Sequence, residues 1–205
     1  MGYPTTAKGK AFYTYAFTPD TAFSQNIFTT KVRFSGQDAI DLQKKVDELC
    51  DASHKKASEE QGKKVKKANP PYKEVLDDND NPTGQLEFHF KENATINTKN
   101  GPMQMRVAVF DAKGAPIAEP LEVGNGSTVK VAYEPYMWFS ASQGAGVKLR
   151  FKGLQIVDLK VREGTGADSF GFGSEDGYSH DNNNNNVSDD DNDFFEENHG
   201  EEEDF

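Results

Sequence analysis

The chain has 205 residues and a formal net charge of −11, with a single cysteine, Cys50, which excludes an intramolecular disulfide and fits a reducing compartment. That net charge conceals a division: all 23 lysines and arginines lie at or before Arg162, whereas 14 of the 34 acidic residues follow Glu163, so residues 1–163 carry +3 and residues 164–205 carry −14. No apolar run reaches the roughly 18 residues of a membrane span and the N-terminus lacks the apolar core of a signal peptide, so a soluble intracellular protein is expected.

Lys10 to Thr18 predicts a first strand, with Phe12, Tyr13, Tyr15 and Phe17 on both faces. Asn26 to Phe34 predicts a second, which turns Phe28, Val32 and Phe34 to one side and Lys31 and Arg33 to the other. Ser35-Gly36-Gln37-Asp38 reads as a capping box opening a helix. Its apolar stripe, Ala39, Leu42, Val46, Leu49 and Ser53, runs at spacings of three and four toward Glu60. Cys50 adjoins the stripe as a packing residue. From Gly62 to Gly84 the periodicity is lost, and the lysine-rich run, Asn69-Pro70-Pro71 and Asp77-Asp78-Asn79-Asp80-Asn81-Pro82 read as one long surface connection. Strand alternation returns at Leu86 to Phe90, Met103 to Phe110, Val129 to Tyr133 and Val147 to Val161, the last with a bulge or bend at Gly153.

Five or six strands separated by glycine and proline turns, with one amphipathic helix inserted, predict an all-β fold: a closed antiparallel barrel of the OB type over residues 1–163. A β-sandwich is the alternative. Residues 164–205 change composition abruptly, to five consecutive asparagines and then acidic blocks, which cannot bury enough apolar surface to offset ordering; a disordered acidic tail is expected. Phe170, Phe172, Tyr178, Phe194, Phe195 and Phe205 punctuate it, as expected of a ligand for a basic surface with apolar pockets.

Catalytic chemistry finds no support. His54, His89, His180 and His199 are scattered and form no metal-ligand spacing with Cys50, so neither a metal nor a cofactor is expected and the chain does not read as an enzyme. The Asp77–Asn81 run resembles a calcium loop, but Pro82 stands where glycine is needed and Phe88 where the bidentate glutamate belongs. Binding chemistry is better represented. Single-stranded nucleic acid without sequence preference needs a cationic track for phosphates and exposed rings on which bases stack. Tyr136, Trp138 and Phe139 supply rings at or beyond a strand end, and Lys148, Arg150 and Lys152 occupy one face of the next strand. If those two strands form a hairpin, rings and charges share a surface, which Lys31 and Arg33 extend. The bland reading stays open here, because alternating cations on a strand are also what a solvated face looks like. A polyanionic tail tethered to a cationic barrel competes for the groove at high effective concentration, which favours the binding reading. The rival is a protein-interaction module or acidic chaperone for basic partners.

The segment Lys130-Val131, Tyr133, Pro135-Tyr136-Met137-Trp138, Gly146-Val147-Lys148-Leu149 and Ile156-Val157-Asp158-Leu159 resembles the single-stranded DNA-binding proteins of short-tailed bacteriophages of the T-seven type. Looser likeness covers Val107 to Gly114, Val46-Asp47-Glu48 and the acidic end Glu203-Asp204-Phe205. The resemblance implies an OB-fold, binding and annealing of single-stranded DNA in phage replication and recombination, a homodimer, and action in the cytoplasm of the infected bacterium. By position it places Tyr136 and Trp138 on the stacking surface and Lys130 and Lys148 on the phosphate track. It further implies that the tail, through Phe205, Asp204, Glu203, Glu202, Phe194 and Phe195, contacts the phage DNA polymerase and helicase-primase. Ala132 departs from the pattern, standing where a basic residue is expected.

Overall fold

The alternation of apolar residues draws strands β1 (Gly9–Asp20), β2 (Ile27–Ser35), β4 (Pro82–Asn93), β8 (Thr128–Ser140) and β9 (Gly144–Asp158) around one core in the computed structural model, which describes residues 2–22 and 25–160 together with Gly171 and Gly173. Antiparallel pairings link β4 to β2, β2 to β1, β1 to β8 and β8 to β9, and a parallel pairing of Phe90 with Leu149 joins β9 back to β4. These five strands therefore form a closed barrel, as expected for the OB type. Phe88, Phe90, Phe151, Leu149, Leu154, Val32, Val129 and Val131 fill it and are fully buried. Each large side chain removed from water there stabilises the barrel by about 1.5–3 kcal/mol.

The helix α1 (Gly36–Glu60) covers the barrel with Ala39, Leu42, Val46, Cys50, Ser53 and Ala57, close to the expected stripe with Leu49 only partly buried. Its start corrects one expectation. Ser35 is the N-cap residue but makes no side-chain capping bond, because the chain enters through Gly36 at φ 60° and not through capping-box geometry. Its end is a Schellman turn: the Gly62 N–H donates to the Glu59 carbonyl and the Lys63 N–H to the Ser58 carbonyl, with Gly62 at φ 61°.

Other expectations need revision. The supposed connection from Gly62 to Gly84 contains β3 (Tyr72–Leu76), an edge strand on β4. It escapes the period-2 test because only Val75 in it is buried. The single strand expected over Met103 to Phe110 is two, β6 (Gly101–Gln104), paired in a separate hairpin with β5 (Thr95–Thr98), and β7 (Ala108–Phe110), which lies parallel to β9. The first strand is bulged at Tyr13, whose φ is 51°, so Tyr13 and Tyr15 are both exposed. Opposite Ala132 and Tyr133, the register of β9 skips Lys152 next to Gly153, which is the expected bulge.

Candidate nucleic-acid interface

Because Phe88 and Phe90 point inward, His89 and Lys91 of β4 point outward, as do Lys31 and Arg33 beside them on β2. On the far side, β8 and β9 form one long hairpin in which Tyr136 faces Lys148 and Trp138 faces Gly146. The rings expected at or beyond a strand end thus lie within the strand. Between these surfaces runs a groove of about 840 Å³ whose lining includes Lys31, His89, Lys91, Tyr136, Trp138 and Lys148. Gln25 from the β1–β2 connection, Gln143 from the β8–β9 turn and Asn69 to Tyr72 close its rim.

The electrostatics separate free cations from committed ones. Burial holds the Lys148 ammonium below its usual pKa, and neighbouring Lys91, Arg150 and Lys152 add to the effect while Glu92 opposes it. Among the described residues its Nζ donates only to Asn93 Oδ1, at 3.3 Å. An ammonium destabilised in this way gains from an arriving anion. Arg150 lies 4.1 Å over the Tyr136 ring and 3.6 Å from Glu134, fixing the ring plane. Lys31 sits 5.1 Å above the Tyr13 ring. Arg33, by contrast, donates to the buried Glu87 at 2.9 Å while packing 4.1 Å over Phe12. Lys152 donates to the buried Glu92 at 2.6 Å and lies 3.3 Å from Glu134. Burial disfavours the Lys152 charge, but the bonds to Glu92 and Glu134 outweigh it and raise the pKa.

The structure thus gathers Tyr136, Trp138, Lys148 and Lys31 into one groove, with Arg150 held against it. Arg33 and Lys152 face the same side but engage internal acids. Lys130 lies toward the other end of β8, opposite Gln155, and Phe139 sits near the hairpin turn opposite Ala145; neither lines the groove. Phe194, Phe195, Glu202, Glu203, Asp204 and Phe205 fall outside the described residues. His89, Lys91 and Asn93 were not anticipated, although the parity that picks out Lys31 and Arg33 on β2 also applies to β4.

His89 accepts or donates one hydrogen bond through Nε2, 2.8 Å from Thr29 Oγ1. Burial, followed by the charges of Lys91 and Lys31, lowers its pKa from 6.5 to about 4. The unfolded chain binds this proton near pH 6.5 and the folded chain does not, so the effect is absent above that range and destabilises progressively as the pH falls toward 4. Denaturant unfolding is expected to show a loss of about 2 kcal/mol between pH 7.5 and 5, and His89→Gln to remove most of that loss. An unchanged slope in the variant would mean that the proton binds elsewhere. Glu87 does not confuse the result: burial opposes its charge, yet Arg33 and Lys73 lower its pKa, so its contribution disappears only below the ordinary carboxylate range.

Barrel and groove together define a class. In OB-folds the second and third barrel strands, with the loops between strands one and two and between four and five, bind oligonucleotides or oligosaccharides; here those elements are β2, β4 and the connections carrying Gln25 and Gln143. A sequence model of the family described as "Single-stranded DNA-binding protein, Bacteriophage T7" matches residues 17–159, and the chain belongs to that family. It is 34% identical over 125 residues to the single-stranded DNA-binding protein of Enterobacteria phage T3, covering 59% of this chain and 53% of that one. Identity to the protein of Escherichia phage T7 is 32% over 117 residues, covering 55% and 50%. The matched region spans about half the length of these curated relatives. The crystal structure of the single-stranded DNA-binding protein encoded by bacteriophage T7 superposes with a TM-score of 0.64 at 22% identity, over 77% of this chain and 92% of that chain. The single-stranded DNA-binding protein of bacteriophage Enc34, in complex with single-stranded DNA, gives 0.59 at 13% identity, over 80% and 90%. These two share the fold.

Proposed function

We propose that the chain binds single-stranded DNA without sequence preference in the groove between β2–β4 and the β8–β9 hairpin. The observation that carries this reading is the convergence of two rings, Tyr136 and Trp138, with Lys148 and Lys31 in one open channel on the ligand face of an OB barrel. Rings accept any base on their faces, and the ammonium groups take phosphates. Family membership favours DNA over a carbohydrate. The protein acts without catalysis, in the cytoplasm of an infected bacterium, as a homodimer that coats and anneals single strands in phage replication and recombination.

The acidic segment 164–205 competes for the same cations, and DNA displaces it. Once released, its aromatic and acidic residues, Phe205 above all, engage the phage DNA polymerase and helicase-primase. Titrating Trp138 fluorescence with oligo-dT tests both parts. Quenching is expected, with log affinity falling against log salt at about −0.7 per phosphate contacted. A chain ending at Glu163 is expected to bind more tightly than the full chain. Absence of both quenching and gel shift at low salt rejects the DNA-binding reading; equal affinity of the two chains rejects the competing tail.

A further inference from the structure

Beyond α1, residues 62–71 form a strap, turned out of the helix by the Schellman glycine. It is fixed at several points. The Val65 N–H donates to Ser58 Oγ at 3.3 Å, and the Val65 carbonyl lies 2.9 Å from His54 Nε2. The Ala145 N–H donates to the Lys66 carbonyl at 2.9 Å, the Ala68 N–H to the Ala145 carbonyl at 2.8 Å, and the His89 N–H to the Pro71 carbonyl at 2.9 Å. The strap therefore bridges the start of β9 and the middle of β4.

Two glycines permit this approach. A Cβ on Gly144, whose φ is 95°, would overlap the Lys66 carbonyl. One on Gly146 would lie 2.9 Å from Ala68 Cβ and 2.8 Å from Trp138 Cζ2. Strap and indole thus meet on the same face of the hairpin. The strap is also strongly basic. Asp51 pairs with Lys67, and Glu60 lies 3.9 Å from Lys56. Lys63, Lys64 and Lys66 are exposed and have no acidic partner among the described residues. Three residues beyond Lys66, Asn69 begins the groove rim.

We propose that Lys63, Lys64 and Lys66 form a second phosphate-binding site that receives the strand as it leaves the Trp138 end of the groove. This rests on the DNA-binding reading of the groove and adds a direction and a length to it. Packing the strap against Gly144 and Gly146 fixes the backbone of Lys66 at the hairpin, and the bond from the Lys63 N–H to Ser58 fixes the start of the run, before any ligand arrives, so little ordering is required on binding. A strand filling only the groove does not reach them; a longer one does.

The test compares fluorescein-labelled oligo-dT of about 5 and about 20 nucleotides, lengths that bracket the usual reach of one OB-fold. In the full chain, Lys63→Gln/Lys64→Gln/Lys66→Gln is expected to leave the affinity for the short oligonucleotide unchanged. For the long one, affinity falls about tenfold and the salt slope becomes shallower by about two, at roughly 0.7 per lost contact. Lys99→Gln/Lys113→Gln, two exposed lysines away from the groove, controls for bulk charge and is expected to change neither. Equal losses for both lengths, or no loss for the long one, overturns the second site while leaving the groove intact. A wild-type chain that binds neither length overturns the groove reading and the second site together.

Discussion

Trp138→Ala is expected to weaken binding of a short labelled oligo-dT by roughly 5- to 160-fold, the equivalent of about 1–3 kcal/mol for one lost base-stacking contact. Anisotropy of the labelled strand is the appropriate readout, since the substitution removes the only tryptophan. Tyr136→Ala is expected to fall in the same range. It also removes the surface on which Arg150 lies, so the two effects are not expected to add. Tyr136 is 45% exposed, and its truncation leaves the barrel core untouched. Trp138→Phe keeps a stacking face and is expected to recover most of the affinity. If the alanine variants bind as the wild type does while the fold is intact, stacking in this groove is not the source of affinity.

The second large effect falls on stability. Lys152→Met leaves Glu92 buried without its cation, at side-chain exposures of 11% for Lys152 and 4% for Glu92. Stranding one member of such a pair costs about 3–5 kcal/mol, a large share of the roughly 5–15 kcal/mol of a typical domain. The thermal midpoint is expected to fall by roughly 6–20 °C. Adding Glu92→Leu to Lys152→Met is expected to restore much of the loss, because the uncompensated charge is then gone. The pair of variants also assigns Lys152 a role. A normal melt with weakened DNA binding would make it a phosphate contact; a lowered melt rescued by the double substitution makes it part of the wall that supports the groove.

Much of this arrangement is legible in the chain itself, for a physical reason. Inward positions of a strand must be apolar and outward ones need not be, so Val147, Leu149 and Phe151 reveal where Lys148, Arg150 and Lys152 point. The same logic covers Lys31, Arg33 and the helix stripe. What parity cannot reveal is partnership. Nothing local distinguishes Lys148, whose ammonium bonds the Asn93 amide oxygen, from Lys152, clasped by Glu92 from a strand 60 residues away. Edge strands are equally hidden: β3 buries little more than Val75, and β6 has no inward face on the barrel. The Tyr13 bulge escapes for another reason, since a tyrosine at positive φ is held there by tertiary contacts, including a hydrogen bond from its own amide to Asn125 Oδ1 at 2.9 Å. The acidic tail was legible as composition and charge alone.

The parallel closure between β4 and β9 has a consequence for how the chain reaches its native state. β1 finds its second neighbour only in β8, where Gly9 pairs with Val129, and the Phe90 end of β4, beyond its pairing with β3, is closed only by β9, where Phe90 pairs with Leu149. The first contact joins residues 9 and 129 and the second residues 90 and 149, so the cost of closing long loops falls before the barrel core is complete. High contact order of this kind places folding toward the slow end, on the order of milliseconds to seconds. On a ribosome the N-terminal meander must wait with open edges until Gly144–Asp158 has emerged. During that interval the half-built sheet is a surface on which a second nascent copy can pair.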